Sequence, residues 1–228
     1  MSKLKIIRTW WGNYKDKWED VPKVPLYDNE IVYVWGEINK EMLEERGYTC
    51  ILMEDNYFLG NKVYGKKLQV LDLALKEFGE VLMLDWDCFL GKPLDDNFYK
   101  MLSKKETQVP LYAHYKYPML ALLESIPDDH PILQTDESYF HLIDNLSTLE
   151  SQIQNYHWKW KEGLIIPNFG CVYSRDKNLG EELIKIAINN DIKGLVEEFA
   201  MWKYANCSME EYINRFHPEY VLGVSDKK

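Results

Sequence analysis

Val81-Leu82-Met83-Leu84-Asp85-Trp86-Asp87 is the stretch on which the reading of this chain turns. Four consecutive apolar residues are too few for a helix and suit a strand covered on both faces. Two carboxylates follow at once, with one residue between them. On an extended segment, residues i and i+2 point to the same side, so Asp85 and Asp87 are expected to project together from the strand's carboxyl end. Like charges that close repel and require a cation. Carboxylate oxygens suit the hard ions Mg2+ and Mn2+, which keep open positions for phosphate oxygens and water. The plainer alternative is a solvated acidic turn.

Upstream, Lys66 to Phe78 places Leu68, Leu71, Leu75 and Phe78 on one helical face, and Gly79 ends the helix. Lys3 to Thr9, Glu30 to Trp35 and Tyr48 to Met53 read as strands, and Ile38 to Arg46 as a helix stopping at Gly47. The first 90 residues therefore alternate strand and helix. That rhythm predicts an α/β, Rossmann-like domain with a central, mostly parallel mixed sheet flanked by helices. Such sheets bind ligands outside the carboxyl ends of their strands. Thr9, Asp55 and the Asp85–Asp87 pair all fall at such ends.

Downstream the pattern is less regular. Val109 to Ala113 reads as a strand, and Leu164 to Ser174 as a strand pair or a bent strand around Pro167-Asn168-Phe169-Gly170. Leu179 to Asn189 and Gly194 to Asn206 read as helices. Ser208-Met209-Glu210-Glu211 carries the capping-box pattern and opens another. Residues 116–160, with Pro118, Pro127 and Pro131, receive no assignment.

The 228 residues suit one large domain. The longest apolar runs fall far short of the roughly 18 residues needed to span a bilayer, so no membrane span is expected. With 27 basic against 37 acidic residues, the net charge of −10 disfavours nucleic acid as a partner. Cys50, Cys88, Cys171 and Cys207 form no CxxC pair, and no signal-peptide pattern opens the chain. A soluble, reduced, cytoplasmic protein is therefore expected. Aromatic residues are abundant, and Trp10 and Trp11 lie in a polar stretch where their faces suit stacking on bases and sugars as well as core filling. No Gly-x-Gly-x-x-Gly follows the first strand and no Walker-type loop occurs, which disfavours a dinucleotide oxidoreductase and a P-loop NTPase.

Lys66 to Leu90 resembles the DxD region of GT-A-type glycosyltransferases, in which a helix leads into an apolar strand ending in Asp-x-Asp. The resemblance runs in order along most of the chain. It implies a single glycosyltransferase domain over 1–228, with a nucleotide-binding half at 1–110 and an acceptor and sugar half at 111–228. It implies Mn2+ or Mg2+ and a donor diphosphate at Asp85, Trp86 and Asp87. Residues 4–9 look like the strand whose end contacts the nucleobase, bringing in Thr9, Trp10 and Trp11. Tyr48 to Asp55 looks like the strand whose acidic end contacts base or ribose. Pro167 to Val172 looks like the Asn-x-Gly segment beside the donor sugar, which brings in Asn168 and Gly170. Glu197-Glu198-Phe199-Ala200 looks like the acidic helix start near the acceptor, and His217 falls where many members place a late metal ligand. The chain is also similar to the small capsid-decorating glycosyltransferases of large DNA viruses that infect algae.

The chemistry has its own requirements. A nucleotide-diphosphate sugar, with a UDP-linked donor favoured, leaves a charged diphosphate that needs electrophilic stabilisation. Lys66 or Lys67, near a helix N-terminus, would add positive charge there; plain surface solvation is the alternative. A displacement by a glycan or glycoprotein hydroxyl needs a base. Adjacent helical residues do not share a face, so one of Glu197 and Glu198 is expected to point into the site, with Glu198 favoured. Asn168 would read sugar hydroxyls and Gly170 would admit close backbone approach. One rival is a haloacid-dehalogenase-type phosphatase built on Asp85-Trp86-Asp87, opposed by Cys88-Phe89-Leu90 where that motif needs Gly and a small residue. Another is a non-catalytic sugar- or nucleotide-binding module.

Overall fold

Alternate residues of each central strand turn to opposite faces, and here both faces are covered. Ile7, Ile31, Tyr33, Val81, Met83 and Val172 belong to one apolar cluster; Leu4, Ile6, Leu82, Leu84, Cys171 and Tyr173 belong to a second, and Val32 and Val34 to a third. That is why these strands read as unbroken apolar runs. The computed structural model describes residues 4–11, 27–54, 65–86, 88–90, 93–115, 159–160, 163–190, 196–219 and 223–225. Asp55, Asp87 and most of the unassigned 116–160 stretch lie outside them.

Strands β1 (Lys5–Trp10), β2 (Glu30–Trp35), β3 (Cys50–Met53), β4 (Val81–Leu84), β6 (Thr107–Gln108) and β10 (Cys171–Ser174) form one six-stranded sheet in the order β3-β2-β1-β4-β10-β6. β1 runs parallel to β2 and β4, and β2 to β3, while β10 is antiparallel to both β4 and β6. This is the mostly parallel, mixed α/β sheet expected of a Rossmann-like fold. β1 extends one residue past its expected end because Trp10 still pairs with Val34.

Helix α2 (Gly65–Phe78) lies against β1 and β4, with α4 (Leu179–Asn189) and α5 (Val196–Ala205) beyond it; all three contribute to the first cluster. α1 (Glu37–Glu44) and α3 (Asp96–Leu102) supply Leu43, and Phe98 and Leu102, to the opposite face. α2 stops at Gly79, whose φ of +76° is a left-handed backbone that side chains avoid. Asp95 caps α3 by accepting from the Phe98 N–H, and Ser208 caps α6 (Met209–Arg215) by accepting from the Glu211 N–H, as the Ser208–Glu211 pattern predicted.

The second half corrects one expectation and sharpens another. The strand expected at Val109–Ala113 is β7 (Leu111–Tyr115), which lies in a separate sheet with β8 (Lys159–Trp160) and β9 (Gly163–Pro167) in the order β7-β9-β8, while β6 ends just before it in the main sheet. Pro110 has no N–H to continue a ladder, and the Val109 N–H turns instead to the Phe216 carbonyl. The stretch Leu164–Ser174, expected as a strand pair or a bent strand, is two strands, β9 in the small sheet and β10 in the large one. The chain thus changes sheets across Asn168-Phe169-Gly170, beside the end of β4. A further pairing, of β5 (Cys88–Leu90) with β11 (Gly223–Ser225), has no counterpart in the sequence reading.

Helices α2 and α4 meet at Gly180. A Cβ there would lie 2.3 Å from Asp72 Cα and 2.4 Å from Asp72 N, backbone atoms that cannot swing away. Gly180→Ala is expected to destabilise the protein by about 1–3 kcal/mol through overpacking, despite alanine's better helix propensity. Urea unfolding checks this.

Candidate active site

β1 leads outward through β2 to β3, and the chain then crosses back to β4 on the other side of β1. The crevice between the carboxyl ends of β1 and β4 is therefore where the strand order reverses, the usual place for a ligand in an open α/β sheet. Asp85 stands there, immediately after β4. Its N–H donates to the Gly170 carbonyl at 2.8 Å, which carries the β4–β10 ladder one step further and fixes the Asp85 backbone.

Asp87, the second residue of the expected pair, lies outside the described residues, and what is seen is the backbone on either side of it. β4 ends at Leu84, and the Cys88 N–H donates to the Asp85 carbonyl at 3.0 Å, so the chain turns directly after Asp85.

The Asp85 carboxylate meets a cation from the protein itself. Lys67, in the first turn of α2, places Nζ 2.7 Å from Asp85 Oδ1 and 3.2 Å from Glu197 Oε1, in the first turn of α5. Glu197 is fully buried, and neither of its carboxyl oxygens has an aligned hydrogen-bond partner among the described residues; the same holds for Glu198 Oε2. Burial pulls the Lys67 pKa down, but Asp85, Glu197 and Glu198 more than reverse this and hold it well above the ordinary range. Burial pushes Glu197 up, with Lys67 pulling the other way. Glu198 is raised well above its usual value, by burial and then by the neighbouring Glu197 charge. One ammonium thus faces three carboxyl groups. Protons on the buried acids, or a further cation, would balance the remainder.

Asn168 and Gly170 belong to the same place. Asn168 Oδ1 accepts from the Gly170 N–H at 2.8 Å, closing a small turn, while the Asn168 N–H donates to the Pro110 carbonyl at 2.8 Å. A Cβ on Gly170 would fall 2.8 Å from Asn168 Oδ1, so glycine leaves the turn intact, and that turn lies within contact distance of the Asp85 carboxylate.

The remaining candidates are placed as follows. Thr9 and Trp10 are buried, and the Trp10 ring is engaged with Trp86 at a centroid distance of 4.8 Å; Trp86 in turn meets Tyr48 at 5.4 Å. These rings form part of the third apolar cluster rather than an open platform. Trp11, the next residue along, is only half-buried. Lys66 Nζ sits 4.8 Å from the centre of the Trp35 ring. His217 Nδ1 accepts from the Leu111 N–H at 3.0 Å. Burial and the nearby Lys105 lower its pKa. A neutral imidazole with Nδ1 as acceptor carries its proton on Nε2, so a metal at His217 would have to displace that proton or that hydrogen bond. Among the described residues no group of three or more His, Cys, Asp or Glu side chains is placed to hold a metal, and no helix is long and apolar enough to cross a membrane.

Sequence reasoning missed Arg8. It lies in mid-β1, fully buried, and reaches under the turn that follows β4. The available signal was a lone arginine in an otherwise apolar central strand.

No family model matches the sequence, and no curated protein matches it. Similar solved structures exist. A protein described as a glucose-1-phosphate thymidylyltransferase from Bacillus anthracis, in complex with a sucrose, aligns over 88% of this chain and 83% of its own at 8% identity, with a TM-score of 0.42. Mouse xyloside xylosyltransferase 1 aligns over 86% and 79% at 9% identity and a TM-score of 0.34. A glycosyltransferase involved in glycosylating the major capsid of PBCV-1 aligns over 98% and 94% at 10% identity and a TM-score of 0.36. All three TM-scores lie below 0.5, and the functional reading that follows stands on the geometry of the site.

Proposed function

We propose that this chain transfers a sugar from a nucleotide-diphosphate donor, a UDP-sugar being favoured, to a hydroxyl of a glycan or glycoprotein. The observation that carries the proposal is the meeting of Asp85, Lys67, Glu197 and Glu198, from three separate elements, at the crevice where the strand order reverses. Buried acids with raised pKa values beside a fixed ammonium are expensive to fold and are the kind of arrangement that acid–base and leaving-group chemistry uses. In this reading Asp85, with Asp87, holds Mg2+ or Mn2+, which supplies Lewis-acid stabilisation of the departing diphosphate. His217 is left out of the metal set because of its Nδ1 contact.

Lys67 fixes the Asp85 carboxylate and adds positive charge on the phosphate side. Asn168 and the Gly170 backbone border the sugar. Glu198 takes the acceptor hydroxyl's proton as that oxygen bonds to the anomeric carbon, while the bond from that carbon to the diphosphate oxygen breaks and the diphosphate leaves with its electron pair. Direct displacement of this kind inverts the anomeric centre. Burial and the Glu197 charge raise the Glu198 pKa, which makes its carboxylate a stronger proton acceptor than an ordinary one.

A thermal-shift panel of UDP-, GDP- and TDP-sugars, with and without Mn2+, tests the proposal. Ligand at 100 times its Kd stabilises by about 2.7 kcal/mol, and each kcal/mol raises the melting point of a chain this size by roughly 2–4 °C. One nucleotide class should stabilise the protein in the presence of Mn2+, and Asp85→Asn should abolish the shift. No stabilisation by any donor would sink the reading, and a covalent phosphoryl group trapped on Asp85 would replace it with the phosphatase.

A further inference from the structure

Arg8 and Glu30 form an ion pair in the interior, Nε to Oε1 at 2.8 Å, with both side chains essentially shut from solvent. Ile6, Leu82 and Leu84 surround one side of the strand ends and Trp10, Val32 and Val34 the other. Taking two charges into such a place costs several kcal/mol each before their attraction is counted, and apolar residues of similar size usually serve folding as well or better. Burial raises the Glu30 pKa, with Arg8 pulling against it, and Arg8 Nη2 has no hydrogen-bond partner among the described residues. Packing therefore gives no reason for an arginine here.

What the guanidinium does besides meeting Glu30 is hold backbone. Its Nη1 donates to the carbonyl of Asp85 and, at 2.7 Å, to the carbonyl of Cys88. These are the two ends of the turn closed by the Cys88 N–H to the Asp85 carbonyl. Glu30 is anchored in turn by the Tyr27 N–H at 3.2 Å, so the guanidinium cannot rotate freely about its stem. A planar fork can satisfy a carboxylate through one nitrogen and two carbonyls through another; a lysine ammonium has no such fixed geometry.

The geometry points to Arg8 as a positioning residue: from beneath the sheet end it pins both carbonyls of the Asp85–Cys88 turn and so sets the backbone from which the Asp85 carboxylate is presented. Arg8 touches neither donor nor acceptor. The inference rests on the reading of Asp85 given above.

Three proteins test it: wild type, Arg8→Met/Glu30→Met, and Arg8→Lys. The double substitution removes the pair together and leaves no unpaired charge, whereas Arg8→Met alone would strand Glu30. Each is melted without ligand, titrated with Mn2+ and UDP, and assayed for donor KM and kcat. The expected result is a double variant that melts near wild type yet binds Mn2+ and UDP about 10–100-fold more weakly, the range typical when a group that orients a ligand is lost. Its donor KM should rise in step. Arg8→Lys, which keeps the charge beside Glu30, should show the same loss, and this holds the test open if the double variant does not fold. A folded variant of either kind that binds Mn2+ and UDP within about twofold of wild type overturns the inference and makes the pair purely structural. Failure of the wild type itself to bind Mn2+ and UDP is a different outcome: it overturns the reading of Asp85, and the role of Arg8 falls with it.

Discussion

Lys67→Met is expected to cost about 3–5 kcal/mol of folding stability, the usual result of removing one partner from a buried ionic cluster. The lysine's contribution is not an ordinary surface pair: its side chain is 8% exposed, and its ammonium lies between Asp85 and Glu197. Methionine fills most of the volume but leaves three carboxyl groups without their cation. The protein then has to protonate them, hydrate them or move them apart, and each route loses free energy.

The deficit should depend on pH in a defined direction. The Lys67 pKa in the folded protein is raised above 10.5, so its contribution is fully present below 10.5 and is lost only as pH rises through the higher folded value. Glu197 and Glu198 are raised above 4.5, so what they contribute is fully present below 4.5 and is lost as pH rises through their folded values. Without Lys67 nothing pulls Glu197 back down, and both acids hold their protons to higher pH. The variant's deficit is therefore large at pH 8 and shrinks as the acids regain protons towards pH 4.5. Urea unfolding of both proteins at pH 5 and pH 8 measures it. Equal deficits at the two values, or a deficit under about 1 kcal/mol at pH 8, would contradict the ionic cluster described here.

The parts of this molecule that could be read in advance are those whose cause is local. β1, β2, α2 and β4 declare themselves because a strand covered on both faces must be apolar throughout, and because Gly47 and Gly79 supply the positive φ that ends a helix or its last turn. Asp85 was legible for the same reason, as a charge at the end of such a strand. The failures have non-local causes. β5 and β11 are three residues each and pair with one another, and no local period marks either. α3 buries only Phe98 and Leu102; its one clear signal was the capping Asp95. The turn directly after Asp85, closed by the Cys88 N–H on the Asp85 carbonyl, had no signal in the apolar run before it. The location of Lys67 near a helix start was visible, but its partners come from β4 and α5 and only the fold assembles them. Arg8 was passed over because a charged residue in a strand ordinarily marks a solvent face; in a sheet covered on both sides there is no such face, and that contradiction was itself the signal.

Glu198→Gln is expected to lower kcat by about 10²–10⁴-fold, the usual worth of a positioned general base, while making the protein more stable at neutral pH. The two effects come from one cause. Glu198 carries a carboxyl whose pKa is raised by burial and by the Glu197 charge beside it, so ionising it in the folded protein is unfavourable. Glutamine keeps the shape and removes the charge. Because the folded pKa lies above 4.5, the penalty that glutamine relieves is absent near pH 4 and grows as pH rises, so the gain in melting temperature should appear at pH 8 and vanish at pH 4. Glu197 behaves differently. It is fully buried but paired with Lys67, and its pKa is raised less strongly, so Glu197→Gln is expected to give a smaller gain in stability at pH 8 and a smaller effect on kcat. Donor KM should stay near wild type for Glu198→Gln, since a base acts on the acceptor and only in the transition state. The comparison of kcat, donor KM and melting point in the two variants separates the roles. A larger kcat loss in Glu197→Gln would move the base to that residue. Unchanged kcat in both would leave the acids without a part in proton transfer and favour a mechanism that retains the anomeric configuration, in which no such base is required.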